Sequence, residues 1–132
     1  MMFLLDTNIL IYFFRGQGKV AEKLLATRPL ELAITSVTLF ELETGLRKSV
    51  QAKSRRRQLD AFAAAAQVWS FDQPAAVAAA EVRAALESKG RPIGTLDTLI
   101  AGIALAHRAT VVTHNVGEFS RVPNLETVDW YD

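Results

Sequence analysis

Acidic residues recur where predicted strands give way to helices. Asp6 directly follows the apolar run 3–5, which has the pattern of a short strand buried on both faces. Glu41 falls in the first or second turn of the helix after the second predicted strand, and Asp97 lies in the first turn of a later helix. Because ligands bind at the carboxyl ends of strands in open α/β sheets, these side chains are expected to meet at one sheet edge.

A cluster of carboxylates needs a compensating positive charge. Carboxylates held close together repel one another, so their pKa values rise unless a cation neutralises them. Their hard oxygen atoms suit Mg²⁺ or Mn²⁺. An ion bound there activates water and stabilises the charge that builds on a phosphate during in-line displacement. The pattern therefore predicts metal-dependent hydrolysis of a phosphodiester.

The fourth position of this cluster has two candidates. After the predicted strand 110–113 the sequence reads His114-Asn115, and Glu118 follows shortly afterwards. Asn115 offers a neutral oxygen to a metal ion or to its water shell, whereas Glu118 offers a carboxylate. His114 lies beside the predicted site and can contact a substrate, although a loop histidine without a role is the simpler interpretation.

Each acid also has an ordinary structural interpretation. Asp6 can cap the helix that follows it. Glu41 can belong to a capping box, and Asp97 can stabilise its helix through the helix dipole. Taken singly, these interpretations are at least as good as a catalytic one. Only the convergence of the acids at one sheet edge favours function.

Strands and helices alternate along the chain and must position these residues. Thr7 or Asn8 is predicted to cap the first helix, and Ser36 or Thr38 the third. The alternation predicts one α/β/α sandwich over residues 1–132, with a central, mainly parallel sheet of four to five strands. We predict strands at 3–5, 32–35, 68–71 and 110–113, an edge strand at 125–128, and helices at 9–15, 19–27, from 36 onward, 60–67, between 72 and 90, and 95–107.

Composition excludes several classes of protein. The chain of 132 residues is half hydrophobic, which suits one domain with a real core and argues against disorder. Its formal net charge is only +1, so the overall charge indicates no partner. The absence of cysteine excludes a disulfide scaffold and thiolate metal sites. No apolar run reaches the roughly 20 residues of a membrane span, so we expect a cytoplasmic protein.

One stretch, residues 47–57, is strongly basic, with no acid between Glu43 and Asp60. It can be a solvated helix face or an RNA contact, and the sequence favours neither. Three arginines elsewhere are expected nearer the acidic cluster and are candidate RNA-binding residues: Arg15, Arg91 and Arg121.

Four segments carry a pattern that extends over nearly the whole chain. They are Leu5-Asp6-Thr7-Asn8, Glu41-Leu42 with Gly45, the stretch from Ile93 to Ala101, and the stretch from Val112 to Pro123. In this order and at these separations they resemble the PIN-domain ribonucleases, and most of all the VapC-type toxins of bacterial toxin–antitoxin pairs.

The resemblance implies a PIN-like fold and an Mg²⁺- or Mn²⁺-dependent endoribonuclease that cuts tRNA or rRNA loops by water attack. Asp6, Glu41 and Asp97 match the family's acidic catalytic and metal-site positions. Many members have a further aspartate just after the threonine of the fourth strand, where this chain has His114-Asn115. Supporting roles near the site are implied for Thr7, Asn8 and Thr113.

The resemblance also implies partners. They are an RNA substrate, a VapB-type antitoxin that lies along the toxin and often blocks the pocket, and a second copy of the chain in a homodimer within a toxin–antitoxin complex. Six apolar residues are candidates for the antitoxin groove, although most of them are expected in the core: Ile11, Phe13, Phe14, Leu39, Phe40 and Leu46.

Two alternatives remain at this point. The first is a phosphatase or a receiver-type domain that uses Asp6 as a nucleophile. The haloacid-dehalogenase-like phosphatases have a second aspartate two residues further on, and Asn8 at that position argues against them. The second is a non-catalytic PIN-like module that binds RNA or a protein; the three intact acids argue against it, and the altered fourth position argues mildly for it.

Overall fold

A five-stranded parallel sheet forms the centre of the computed structural model, which describes residues 1–132. Its strands stand in the order β3-β2-β1-β4-β5, and every neighbouring pair is parallel. The predicted α/β/α sandwich is thereby confirmed. The strands are β1 (Phe3–Leu5), β2 (Leu32–Thr35), β3 (Gln67–Trp69), β4 (Thr110–Val112) and β5 (Thr127–Val128).

Helices connect successive strands and cover both faces of the sheet. None of them combines the length and the apolar character that crossing a bilayer demands. A short 3₁₀ helix, Pro29–Glu31, precedes β2. The α-helices are α1 (Thr7–Arg15), α2 (Val20–Leu25), α3 (Ser36–Arg47), α4 (Ala52–Ala65), α5 (Gln73–Ser88), α6 (Thr95–His107) and α7 (Val116–Phe119).

The alternation of side chains along each strand creates two separate cores. Successive residues of a strand point to opposite faces, so Leu4 enters one core and Leu5 the other. The first core lies under α5 and α6, and the second lies under α1 and α2. Both leucines are fully buried, and truncation of either to alanine would cost about 2–5 kcal/mol. The two cores fix the sheet whose carboxyl edge carries the acids.

The helix before β3 is longer than predicted. It begins at Ala52, so the basic residues from Lys53 to Arg57 are helical, and the predicted segment 60–67 is only its second half. Gln67 is not helical, because it pairs with Ala33 and opens β3. The alanine run favours a helix at every position, and pairing with β2 decides where that helix ends.

Strands β1 and β2 run into α1 and α3 without a linker. The Ile9 amide donates to Asp6 Oδ1 at 2.9 Å, and the Thr38 amide donates to Thr35 Oγ1 at 2.9 Å. An N-cap residue stands just before the first turn of a helix, where its side chain accepts a hydrogen bond from a backbone amide of that turn. Asp6, which follows β1, and Thr35, which ends β2, are in that position. The cap of α1 is therefore Asp6, in the structural role that the sequence also offered for it, and not Thr7 or Asn8. The predicted caps of α3, Ser36 or Thr38, were wrong, because Thr35 caps that helix.

Candidate active site

The sheet order brings the ends of β1 and β4 together. Leu5 pairs with Val112, and the Asp6 amide donates to the Val112 carbonyl at 3.1 Å. Asp6 and Thr113 are the residues that follow these two strands, so they lie side by side at the carboxyl edge of the sheet. The site is built around this pair.

Asp6 is a buried acid that is held in place by neutral donors. Its residue is only 4% exposed, and its carboxylate is hydrogen-bonded by the Thr113 side chain and the Ile9 amide. Burial raises the pKa of Asp6 from its ordinary value of 3.8 to about 6, with smaller contributions from the charges of Glu41 and Asp129, although the two hydrogen bonds oppose the rise. Asp6 therefore both caps α1 and faces the other acids.

Glu41 is oriented by a threonine of the neighbouring helix. The Thr7 hydroxyl of α1 donates to Glu41 Oε1 at 2.6 Å and lies 3.1 Å from the Thr38 hydroxyl. Both threonines are buried. Thr7 thus contacts one of the candidate acids directly, whereas Asn8 is exposed on the first turn of α1.

Asp97 and Glu118 meet across the site. The two side chains are in contact, so their negative charges oppose each other. Burial raises the pKa of Asp97 to about 7, and contact with Glu118 adds to the rise, followed by the charges of Asp6 and Glu41. Without a cation, this pair therefore tends to retain a proton near neutral pH.

Glu118 and Asn115 have different positions in this arrangement. The Asn115 side-chain amide donates to Glu118 Oε2 at 2.9 Å, while the Asn115 backbone amide donates to Thr113 Oγ1 at 2.8 Å. Glu118 contacts Asp97, and Asn115 orients Glu118. The geometry thus favours Glu118 as the fourth acid and gives Asn115 a positioning role.

No basic side chain neutralises this group of acids. None of the ion pairs in the chain includes Asp6, Glu41, Asp97 or Glu118. No three of these residues bring ligand atoms within 4.8 Å of one another, so they do not form a closed cage. An open set of oxygen donors fits Mg²⁺ or Mn²⁺, because Mg²⁺ usually keeps several of its own waters.

Sequence reasoning missed Asp129, which also faces this site. Its charge contributes to the raised pKa of Asp6, and its Oδ2 lies 2.8 Å from His114 Nδ1. Ligand atoms of His114, Asp129 and Asp132 all lie within 4.8 Å of one another. Since β5 pairs with β4, the residue that follows β5 reaches the same sheet edge. That pairing was the signal that could have identified Asp129.

The basic residues are placed differently from one another. Arg56 donates to both carboxylate oxygens of Glu43 at 2.6 Å, and Arg47 joins the same carboxylate at 2.8 Å. These contacts favour the structural interpretation for part of the basic stretch. Arg121 donates to the Pro92 carbonyl at 3.2 Å and so holds the loop before α6. The other two candidate RNA-binding residues, Arg15 and Arg91, are exposed.

A partly apolar groove lies between α1, α3 and α4, and Glu41 is one of its lining residues. The cavity is about 170 Å³, and Ile11, Phe14 and Leu46 of the predicted set line it. Phe13 and Leu39 instead pack against the core. The remaining residue of the set, Phe40, is 61% exposed, so it belongs neither to the core nor to this groove.

Comparison with known proteins agrees with this geometry. Residues 3–125 match the PIN domain family. The tRNA(fMet)-specific endonuclease VapC of Shigella flexneri is 35% identical, with 97% of each chain covered. Ribonuclease VapC2 of Rickettsia felis is 36% identical, with 98% of each chain covered. The chain therefore belongs to the PIN-domain family, and within it to the VapC ribonucleases.

Solved structures of VapBC complexes also contain chains that are similar to this one. The chain matches DNA-bound VapBC of Salmonella typhimurium with a TM-score of 0.91 at 33% identity, with 98% of each chain covered. It matches VapBC2 of Rickettsia felis, bound to a DNA fragment from its promoter, with a TM-score of 0.88 at 36% identity. That match covers 98% of this chain and 99% of the other.

Proposed function

We propose that this chain is the endoribonuclease toxin of a VapBC-type pair and that it cleaves RNA with a divalent metal ion. The observation that carries the metal site is the group of four acids at one sheet edge, without a basic partner and with raised pKa values at Asp6 and Asp97. Glu41 and Glu118 complete the group. A phosphatase with Asp6 as its nucleophile gains no support, because the chain matches ribonucleases over nearly its whole length and has Asn8 where the haloacid-dehalogenase-like phosphatases have a second aspartate.

Some residues of the chain would bind the ion, and others orient the residues that bind it. Asp6 is rigid, since burial and two hydrogen bonds fix its carboxylate. Thr7 orients Glu41, and Asn115 orients Glu118. Such supporting contacts typically change metal affinity by about 10- to 100-fold when they are removed.

Binding of the ion requires that the acids give up their protons. An ion bound there would displace the proton that the raised pKa of Asp97 favours, because carboxylates bind metal ions in their ionised form. Mg²⁺ or Mn²⁺ at this site supplies activation of water and stabilisation of the charge on the phosphate. Water attack with departure of the 3′-oxygen leaves a 5′-phosphate and a 3′-hydroxyl.

The relatives indicate which RNA to test first. VapC proteins from Shigella flexneri and Salmonella typhimurium are named tRNA(fMet)-specific endonucleases and are 35% and 33% identical to this chain. Initiator tRNA is therefore the first substrate, and ribosomal RNA loops are the second. Single-stranded loops are where a protein can read RNA sequence.

The relatives also indicate the partner. Structures of VapBC complexes match the whole chain, which supports a VapB-type antitoxin as its inhibitor. The groove between α1, α3 and α4 reaches Glu41, so a segment bound there would approach the acids directly. A homodimer within such a complex is part of the same proposal.

A nuclease assay tests the metal-dependent mechanism. We expect the purified toxin to cleave initiator tRNA or total RNA with Mg²⁺, and to lose activity with a chelator or with Glu41→Gln. Glu81→Gln changes an exposed acid on α5 and serves as the matched control. Equal cleavage with Mg²⁺, with chelator and in Glu41→Gln would refute the mechanism. Complete absence of cleavage would favour the non-catalytic module.

A further inference from the structure

His114 is an exposed loop residue whose ring is nevertheless held by three side chains. Its Nδ1 lies 2.8 Å from Asp129 Oδ2. Its ring stacks on that of Tyr131, with 4.2 Å between the ring centroids and 22° between the planes, and lies nearly perpendicular to the Tyr12 ring at a centroid distance of 5.8 Å. An exposed side chain normally keeps its rotamer freedom, and these contacts remove it in advance. The ring is therefore already positioned before any ligand arrives.

The residues that hold His114 are themselves fixed. The Tyr131 amide donates to Asp129 Oδ1 at 2.8 Å, and its carbonyl accepts from the Lys19 amide at 2.8 Å. Trp130, between them, is only 6% exposed. Gly18 allows this close approach, because a Cβ atom there would lie 2.7 Å from the Tyr131 carbonyl oxygen. The final residues of the chain thus form a rigid support.

This support stands at the rim of the acidic site. His114 directly follows Thr113, whose side chain is hydrogen-bonded to Asp6. The charge of Asp129 reaches Asp6 as well. The His114 side chain remains 36% exposed, so a ligand that occupies the acidic site can contact it.

The chemistry of the surroundings decides what the ring can bind. Asp129 and Asp132 lie close to His114, and their negative charge disfavours a phosphate group at this position. The face of a nucleobase carries no net charge, and unpaired bases in single-stranded RNA stack on aromatic rings, including that of histidine.

We infer that His114 is a substrate-positioning residue whose imidazole stacks on an unpaired base next to the scissile phosphate. The inference rests on the proposed function, because it requires RNA in the acidic site. It predicts that the substrate must present an unpaired nucleotide at the cleavage site. Asp129, Tyr131 and Tyr12 act through His114 and hold its ring in place.

Binding and steady-state kinetics test this role with initiator tRNA as the probe. Binding is measured by anisotropy of labelled tRNA in an Asp97→Asn background, so that it does not depend on cleavage. We expect His114→Ala to raise Kd and KM by about 5- to 150-fold, with kcat changed less than about twofold. His114→Phe keeps a flat ring and should recover most of the lost affinity, although it cannot bond to Asp129.

The other histidine provides a matched control. His107 also stacks on an aromatic ring, that of Trp69 at 3.9 Å, but it is the last residue of α6, whereas Asp97 lies in the first turn of the same helix. His107→Ala should leave Kd, KM and kcat unchanged. Thermal unfolding of each variant checks that the chain remains folded.

RNA with single abasic nucleotides identifies the stacked base. A synthetic anticodon stem-loop carries an abasic site on either side of the cleavage position in turn. The loss of RNA affinity that His114→Ala causes should disappear with one of these two RNAs. Unchanged Kd and KM in His114→Ala, or equal losses in the Ala and Phe variants, would overturn the inference. Absence of cleavage by the wild-type chain would instead refute the proposed function, and the binding measurement would still decide the role of His114.

Discussion

Replacement of Asp6 by asparagine is expected to stabilise the metal-free chain at pH 8. The asparagine oxygen can still accept from the Ile9 amide, so the cap of α1 is retained. What disappears is a negative charge that is buried next to Glu41 and Asp129. The loss of one charge, rather than of a contact, is therefore the perturbation.

The size of the effect follows from the pKa of Asp6, which rises from 3.8 to about 6 on folding. At about 1.36 kcal/mol per pKa unit, this difference corresponds to at most about 3 kcal/mol. Between these pKa values the folded state binds more protons than the unfolded state, so stability falls as pH rises through this window. Above pH 6 the full cost of the charge is present. Asp97 acts in the same direction, with a smaller effect because it is partly exposed.

Urea unfolding between pH 4 and 8, with chelator and with Mg²⁺, measures this effect. With chelator, wild type should lose stability as pH rises, and Asp6→Asn should lose less. Addition of Mg²⁺ at pH 8 should stabilise wild type and hardly affect the variant, because only the wild-type site binds the ion well.

Asp72→Asn is the matched control for Asp6→Asn. Asp72 caps α5 through the Ala75 amide at 3.1 Å, is exposed, and is not among the charges that act on Asp6. Its replacement should change stability by no more than a few tenths of a kcal/mol at pH 8. If Asp6→Asn were less stable than wild type at pH 8 with chelator, or if their pH profiles ran parallel, the reasoning about the buried charge would be refuted.

Two further substitutions test the fourth acid and the support under His114. Glu118→Gln should raise the Mg²⁺ concentration for half-maximal cleavage by about tenfold or more, and Asn115→Ala by less; the opposite order would make Asn115 the ligand. Gly18→Ala should lower stability in urea by more than Gly16→Ala does. Both glycines have φ near +65°, which costs alanine about 1–2 kcal/mol, but only a Cβ at Gly18 meets Tyr131. Equal losses would exclude that contact.

Local sequence patterns predicted most of the sheet and named Asp6, Glu41 and Asp97 as candidate acids, with Asn115 and Glu118 as alternatives for the fourth position. The apolar run before Asp6 specifies a buried strand, and the helical pattern around Asp97 places that residue in a first turn. Parallel strands direct their carboxyl ends to one edge, so the convergence with Glu41 followed without knowledge of any contact. The strand before Asp6 and the helix around Asp97 depend on residues that are neighbours in the chain, so a local sequence pattern is enough to predict them.

Helix ends and charge pairs were predicted less well, because distant residues decide them. Gln67 continues an alanine-rich helical pattern, yet pairing with Ala33 makes it a strand residue. The basic stretch had two equal interpretations until Glu43 proved to be paired with Arg47 and Arg56. The partner of a flexible, charged side chain depends on how two helices pack, and no local pattern encodes that packing.

The sequence by itself determined that Asp6 stands at the carboxyl end of a buried strand within a carboxylate site. Only the tertiary structure decided what surrounds it. Because β4 lies between β1 and β5, Thr113 binds Asp6 directly, and Asp129 arrives from the end of the chain to hold His114 at the rim. The contact between Glu118 and Asp97 likewise depends on how α7 and α6 meet at that edge. These contacts join residues far apart in the chain, so the order of the strands sets their distances.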